Sequence, residues 1–307
     1  LTTTPAVTEH EDSIVDTEVT DTLVTIQEVG LRDGLQNELA ILSAEQRAEL
    51  VTNLCDAGLR RIQIGSFVSR SRVPQMADTD RVWQLIRKTS GIRFSVLVLN
   101  ERGLEKAISA GVPHVEIFVS ASDTHSRRNS NVSMEQALED AVSMVRTALA
   151  EQRTVTAGAM CAFGCHFEGD IAAERVKDIL TTLWELGPQE IGLADTTGMG
   201  VPEKVRELVH MAASFMPLDR LTLHFHDTYG FGLANLEEAL RLGARHFDAS
   251  VGGLGGCPFV PGATGNISTH RALKTAEALG FSTGIDPDKL DVVRGKLERL
   301  LGRKLEP

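Results

Sequence analysis

The chain has 307 residues, 42% of them hydrophobic and 24% charged, the composition of a globular protein rather than of a disordered, collagenous or coiled-coil one. Its 31 Lys and Arg against 42 Asp and Glu leave a formal net charge of −11, which argues against a nucleic-acid backbone or an anionic membrane surface as the principal partner. Cys55, Cys161, Cys165 and Cys257 are too few and too scattered for a disulfide scaffold, and no apolar stretch reaches membrane-spanning length, so the expected compartment is a reducing, cytoplasmic one.

Residues 1–22 contain Glu9, Glu11, Asp12, Asp16, Glu18 and Asp21 and no Lys or Arg, and read as a solvated, disordered acidic tail. A mitochondrial presequence would instead be rich in Arg and poor in acids. From position 23 onward, β-branched runs alternate with amphipathic segments. The runs at 23–28, 61–67, 94–99, 115–120, 155–162, 190–194, 221–226 and 246–251 are predicted strands. Between them, 44–57, 81–88, 101–110, 134–150, 172–186, 202–215 and 233–242 carry helical periodicity, several ending at a glycine suited to a C-cap (Gly58, Gly111, Gly187, Gly243). Strand starts lie roughly 30 residues apart, one βαβ crossover each. The strands read as nearly continuous apolar runs, as strands covered on both faces should. This pattern predicts one α/β domain over 23–307, a (β/α)8 TIM barrel, with an additional C-terminal helix at 287–301.

In such a barrel the chemistry sits at the C-terminal ends of the strands. The first strand ends in Glu28-Val-Gly-Leu-Arg32-Asp33-Gly-Leu-Gln36, and the seventh in His224-Phe-His226-Asp227. A His-x-His spacing puts both imidazoles on one face of a strand. After the eighth come four glycines, Cys257 and Pro258, then Gly265-Asn266. Strands seven, eight and one are consecutive around a closed barrel, so Asp33, His224, His226 and Asn266 are candidate ligands of a divalent cation. Ligand type alone does not separate Mg2+, Mn2+ and Zn2+. The competing reading turns one imidazole toward the helices and the other into a core hydrogen bond.

Arg32, beside such a cation, is a candidate electrophile for a developing enolate oxygen; the alternative is a loop salt bridge. Cys257 is a candidate proton donor or base, against the ordinary fate of a small buried hydrophobe, and its glycine-rich loop suits a mobile lid. Those glycines are followed by no Gly-Lys-Ser/Thr, so a phosphate cradle is not indicated. Cys161 and Cys165 lack the partner pair of a zinc tetrad and read as packing and loop positions. Arg127 and Arg128 read as a solvated turn that could also meet an anionic ligand tail.

Four segments carry a resemblance: Leu31-Arg-Asp-Gly-Leu-Gln-Asn-Glu38, Ser66-Phe-Val-Ser69 with Val73-Pro-Gln-Met76, His224-Phe-His-Asp-Thr-Tyr-Gly230, and Ala249-Ser-Val-Gly-Gly-Leu-Gly-Gly-Cys-Pro-Phe259. Together they resemble the 3-hydroxy-3-methylglutaryl-CoA lyase family of metal-dependent lyase and synthase barrels. The resemblance implies Mg2+ or Mn2+ held by Asp33, His224, His226 and Asn266, with an acyl-CoA thioester as substrate. It implies that Arg32 polarises the thioester carbonyl, Gln36 positions the substrate and Cys257 takes part in proton transfer. The implied reaction is retro-Claisen C–C cleavage that releases acetyl-CoA and a keto acid or ketone, in a homo-oligomer (dimer or tetramer).

Three departures bear on the substrate. Gln63 stands where these lyases usually have an acid, Leu39-Ala40 where they have a lysine, and Ser268-Thr-His270-Arg271 where Ala-Thr-Glu-Asp is usual. Arg271 is a possible substitute for the missing lysine. The alternatives are a barrel aldolase or condensing enzyme on a keto acid, and a catalytically silent acyl-CoA-binding paralogue.

Overall fold

The computed structural model describes residues 22–256 and 265–306. Among these, eight parallel strands pair in chain order and close into a barrel: β1 (Thr25–Glu28), β2 (Arg61–Ser66), β3 (Arg93–Val98), β4 (His114–Ser120), β5 (Thr154–Met160), β6 (Glu190–Asp195), β7 (Leu221–Phe225) and β8 (His246–Ala249). The fold is the expected (β/α)8 TIM barrel. Closure runs from Thr25 opposite His246 to Glu28 opposite Ala249, which sets the outgoing ends of β7, β8 and β1 side by side.

The helices are α1 (Ala44–Asp56), α2 (Thr79–Ile86), α3 (Glu101–Ala110), α4 (Asp123–Ser130), α5 (Met134–Ala150), α6 (Ala173–Trp184), α7 (Pro202–Ala213), α8 (Gly232–Arg241), α9 (Thr269–Ala278) and α10 (Pro287–Leu301). The expected C-terminal helix is α10; it packs on the outside of the barrel against α1, with Lys296 paired to Glu49. Two helices escape the sequence reading. Arg127 and Arg128 lie not on a turn but on α4, which Ser122 caps by accepting from the His125 amide at 3.1 Å. Arg127 pairs with Asp123 at 2.8 Å, and the Arg128 guanidinium sits 4.2 Å over the Phe167 ring. The other is α9, a small-residue helix whose buried face is Ala272, Leu273 and Ala276. Of the acidic tail expected at 1–22, only Thr22 is described; its carbonyl accepts from the Ser282 amide at 2.9 Å.

The expectation of continuously apolar strands is corrected. The strands alternate: Ile62, Ile64, Phe94, Val96, Val115, Ile117, Ile191 and Phe247 are buried between the sheet and the helices, while polar residues make up much of the interior, beside Leu97, Phe118 and Met160. Hydrogen bonds between strands that are not neighbours cross that interior. Arg61 and Arg93 both reach Glu190, at 2.8 and 2.7 Å, and Gln27 reaches Glu116 at 3.1 Å. Each strand is indeed covered on both faces, but the inner cover is in large part a hydrogen-bonded polar layer, tolerable because most of its polar groups pair with one another.

Candidate active site and metal centre

After β1 the chain makes a wide turn over Gly30–Gly34, in which the Asp33 amide bonds back to Val29 O at 2.8 Å. Glu28 anchors this turn. One of its carboxylate oxygens accepts from the Gly30 and Val251 amides, both at 2.9 Å, and the other from Thr269 Oγ1 at 2.7 Å. Gly30 permits the approach, since a Cβ there would lie 2.6 Å from Glu28 Oε1 and 2.7 Å from Ser250 Oγ. Arg32 and Asp33 are thereby delivered to the barrel mouth.

Opposite them stand the two histidines, on one face as the spacing predicts, with ring centroids 5.0 Å apart. His224 Nδ1 faces Asp248 Oδ2 of β8 at 3.1 Å, which leaves Nε2 free to act as a ligand, the usual arrangement of a carboxylate behind a metal-binding imidazole. His226 Nε2 lies 3.4 Å from Asp33 Oδ2. Among the described residues, Asp33, His224 and His226 are a buried group whose ligand atoms all lie within 4.8 Å of one another. Asn266 joins them through a backbone bridge to His226. Its Nδ2 donates to Asp33 Oδ2 at 2.8 Å and to Leu254 O at 2.9 Å, while its Oδ1 is buried with no hydrogen-bond partner. That orphaned oxygen fits a cation in the group better than a self-satisfied core.

Charge in the site is arranged to suit. Burial would raise the Asp33 carboxyl, but Arg32 beside it and the hydrogen bond and charge of His226 outweigh burial and hold it well below the usual carboxylate range. Burial likewise opposes charge on His224, yet the hydrogen bond and charge of Asp248 leave its pKa raised. His226 ends lowered, by burial first.

Arg32 donates through Nη1 to Asp33 and through Nε to Gln63 Oε1, whose own Nε2 donates to Glu116. Gln36 Nε2 donates to Asp33 Oδ1 at 3.2 Å. The cavity over these groups is lined by Arg32, Asp33, Gln36, His224 and His226, with Leu97, Leu99, Phe118 and Met160 as an apolar wall. The Phe118 ring lies against Gly158 and Gly192 inside the barrel, where Cβ atoms would come within 2.7 and 2.5 Å of it. Cys257 lies outside the described residues; Gly256, just before it, lines the cavity. Cys161 and Cys165 are buried free thiols, Cys165 Sγ donating to Ser122 Oγ at 3.0 Å, in keeping with packing positions. Arg271, the possible substitute for the missing lysine, pairs with Asp227 at 3.3 Å and Glu306 at 3.7 Å. Sequence reasoning passed over Glu116 and Asp248, which also line the cavity, although each is an acid inside an apolar-framed strand.

A family model described as HMGL-like matches residues 23–295. The chain belongs to the HMGL-like family. It is 41% identical over 279 residues to the hydroxymethylglutaryl-CoA lyase of Pseudomonas mevalonii, covering 91% of this chain and 93% of the relative. It is 39% identical over 280 residues to the 3-hydroxy-3-isohexenylglutaryl-CoA/hydroxymethylglutaryl-CoA lyase of Pseudomonas aeruginosa, covering 91% and 93%. The structure of an HMG-CoA lyase from Acinetobacter baumannii in complex with coenzyme A and 3-methylmalate superposes with a TM-score of 0.90 at 36% identity, covering 94% of each chain. As an HMGL-like protein the chain is a carbon–carbon lyase.

Proposed function

We propose that this chain is a divalent-metal-dependent acyl-CoA lyase that cleaves 3-hydroxy-3-methylglutaryl-CoA, or a related branched 3-hydroxyacyl-CoA, to acetyl-CoA and a keto acid. The observation that carries the reading is the buried Asp33–His224–His226 group with the orphaned Asn266 Oδ1 beside it and Arg32 at the same cavity. Asp33, His224, His226 and Asn266 would hold Mg2+ or Mn2+, hard ions suited to oxygen and imidazole donors. Bound there, the ion would supply Lewis-acid polarisation of the substrate's hydroxyl and carboxylate oxygens.

The chain's own residues do the rest. The hydroxyl on C3 loses its proton, the C2–C3 bond breaks, and its electron pair becomes the enolate of the departing thioester while C3 becomes a ketone. Arg32, fixed between Asp33 and Gln63, presents its guanidinium to the oxygen where that enolate charge gathers. Gln36 orients the substrate from the Asp33 side. Cys257 takes part in proton transfer, delivering the proton that turns the enolate into the methyl of acetyl-CoA. The apolar wall of Leu97, Leu99, Phe118 and Met160 supports an alkyl branch at C3, including branches longer than methyl.

The purified protein, given Mg2+ or Mn2+ and a panel of 3-hydroxyacyl-CoA thioesters with methyl and longer 3-alkyl groups, should release acetyl-CoA detectable by mass spectrometry, and EDTA should stop it. No EDTA-sensitive acetyl-CoA from any thioester overturns the reading and leaves the silent paralogue. We further infer a homo-oligomer, dimer or tetramer, on the family resemblance; light scattering after gel filtration reads it directly. The free thiols of Cys55, Cys161 and Cys165 support a reducing, cytoplasmic compartment.

A further inference from the structure

At the floor of the cavity four side chains form a chain of hydrogen bonds that the reaction chemistry does not itself require. Glu116 of β4 accepts at both oxygens, from Gln63 Nε2 and from Gln27 Nε2, the latter at 3.1 Å. Gln63 turns its Oε1 to Arg32 Nε. Gln27 Nε2 also donates to Asp248 Oδ1 at 3.2 Å, and Asp248 Oδ2 faces His224 Nδ1 at 3.1 Å. Ser95, paired in register with Gln63 on β3, is small enough for the β2 and β4 side chains to meet across it.

We propose that Glu116 is a positioning residue of the lyase site, whose carboxylate decides which way round Gln63 presents its amide and, together with Asp248 and with Arg93 Nη2 on Gln27 Oε1 at 3.4 Å, holds Gln27, and so orients Arg32 on one arm and the Asp248–His224 pair on the other. This rests on the roles given above to Arg32 and His224. A carboxamide has one donor end and one acceptor end, and a carboxylate accepts at both oxygens. With two amide donors committed to Glu116, the oxygen of Gln63 must face Arg32. An inverted Gln63 would set an NH2 against the Arg32 Nε–H, two donors nose to nose at a largely buried spot: Gln63 is 0% and Glu116 3% exposed. The acid that the family resemblance leads one to expect at position 63 is thus carried on β4, and Gln63 passes its accepting character on to Arg32.

The arrangement makes an exchange test possible. In Glu116→Gln, one acceptor end must serve two amide donors. In Gln63→Glu, two carboxylates face each other. In the double exchange, the new carboxylate on β2 accepts from Arg32 Nε and from the new amide on β4, whose oxygen takes the Gln27 donor, so every donor has an acceptor again. For the full chain with Mn2+, Glu116→Gln is expected to lower kcat roughly 10- to 100-fold with KM little changed, and to weaken Mn2+ binding in calorimetry through the His224 arm. The double exchange recovers most of both losses. A near-isosteric Glu116→Gln with wild-type kcat and Mn2+ affinity, or a double exchange no better than the worse single variant while circular dichroism shows all of them folded, overturns the proposal. If wild-type protein releases no acetyl-CoA, the lyase reading fails instead. The Mn2+ affinities then decide the His224 arm alone: weaker binding by Glu116→Gln supports it and equal binding overturns it.

Discussion

Asp33 combines several tasks in one carboxylate: it pairs with Arg32, accepts from Gln36 and Asn266, and faces His226. An amide of the same shape keeps part of the hydrogen bonding and loses the charge. Asp33→Asn should therefore abolish measurable Mn2+ binding in calorimetry and lower turnover by at least roughly 100-fold. Cys257→Ser should slow turnover and leave Mn2+ affinity at the wild-type value, because thiol chemistry and ion binding are carried by different side chains. The direct candidates were legible because each is a polar residue at a strand end with a recognisable spacing. Glu116, Asp248 and Gln27 were not, because single polar residues inside β-branched runs read as interruptions of an apolar strand until cross-barrel bonds show where they point.

At the level of elements, the turn after β1 depends on Glu28 more than on any residue that faces the cavity. Removing its carboxylate leaves the Gly30 and Val251 amides and the Thr269 hydroxyl without acceptors, each at a cost of about 1–3 kcal/mol when buried. Glu28→Ala should lower the melting temperature by several degrees or more in a thermal scan, and should depress turnover in the surviving folded fraction because Arg32 and Asp33 ride on that turn. The strands and most helices were readable within two residues or so of their ends, the usual play of helix and strand boundaries. The helix α4 was missed for a physical reason: DTHSRRNS offers no apolar stripe, and the segment is helical because Ser122 caps it and Asp123 pairs with Arg127 one turn on. Thus periodicity finds helices that bury a face, and it passes over those held by caps and charge pairs.

The barrel as a whole is tied at its N-terminal end by Glu190, whose two oxygens are bracketed by Arg93, while Arg61 shares one of them. Burial would raise this carboxyl, but the hydrogen bonds and charge of Arg93, with Arg61 behind it, bring it down to about 2. A carboxylate depressed on folding stabilises the native state at pH values above its unfolded pKa, and that contribution is lost as pH falls through the folded value. The window here runs from about 4.5, the ordinary glutamate value, down to about 2. Chemical denaturation at successive pH values should show stability falling through that window, and Glu190→Gln should flatten that part of the curve while lowering stability at neutral pH.

The polar interior also works as a code for strand register. Side chains alternate between the two faces of a strand, so a slip of a single residue would swing Arg61, Gln63 or Glu116 out against the apolar faces of the helices and bring Ile62, Ile64 or Ile117 inward. In a barrel with an all-aliphatic lining, such a slip exchanges one greasy surface for another. Here it would strand buried charges on one side and leave the opposing Glu190, Gln27 or Asp248 without partners on the other, so misthreaded barrels are disfavoured by the very residues that support the site.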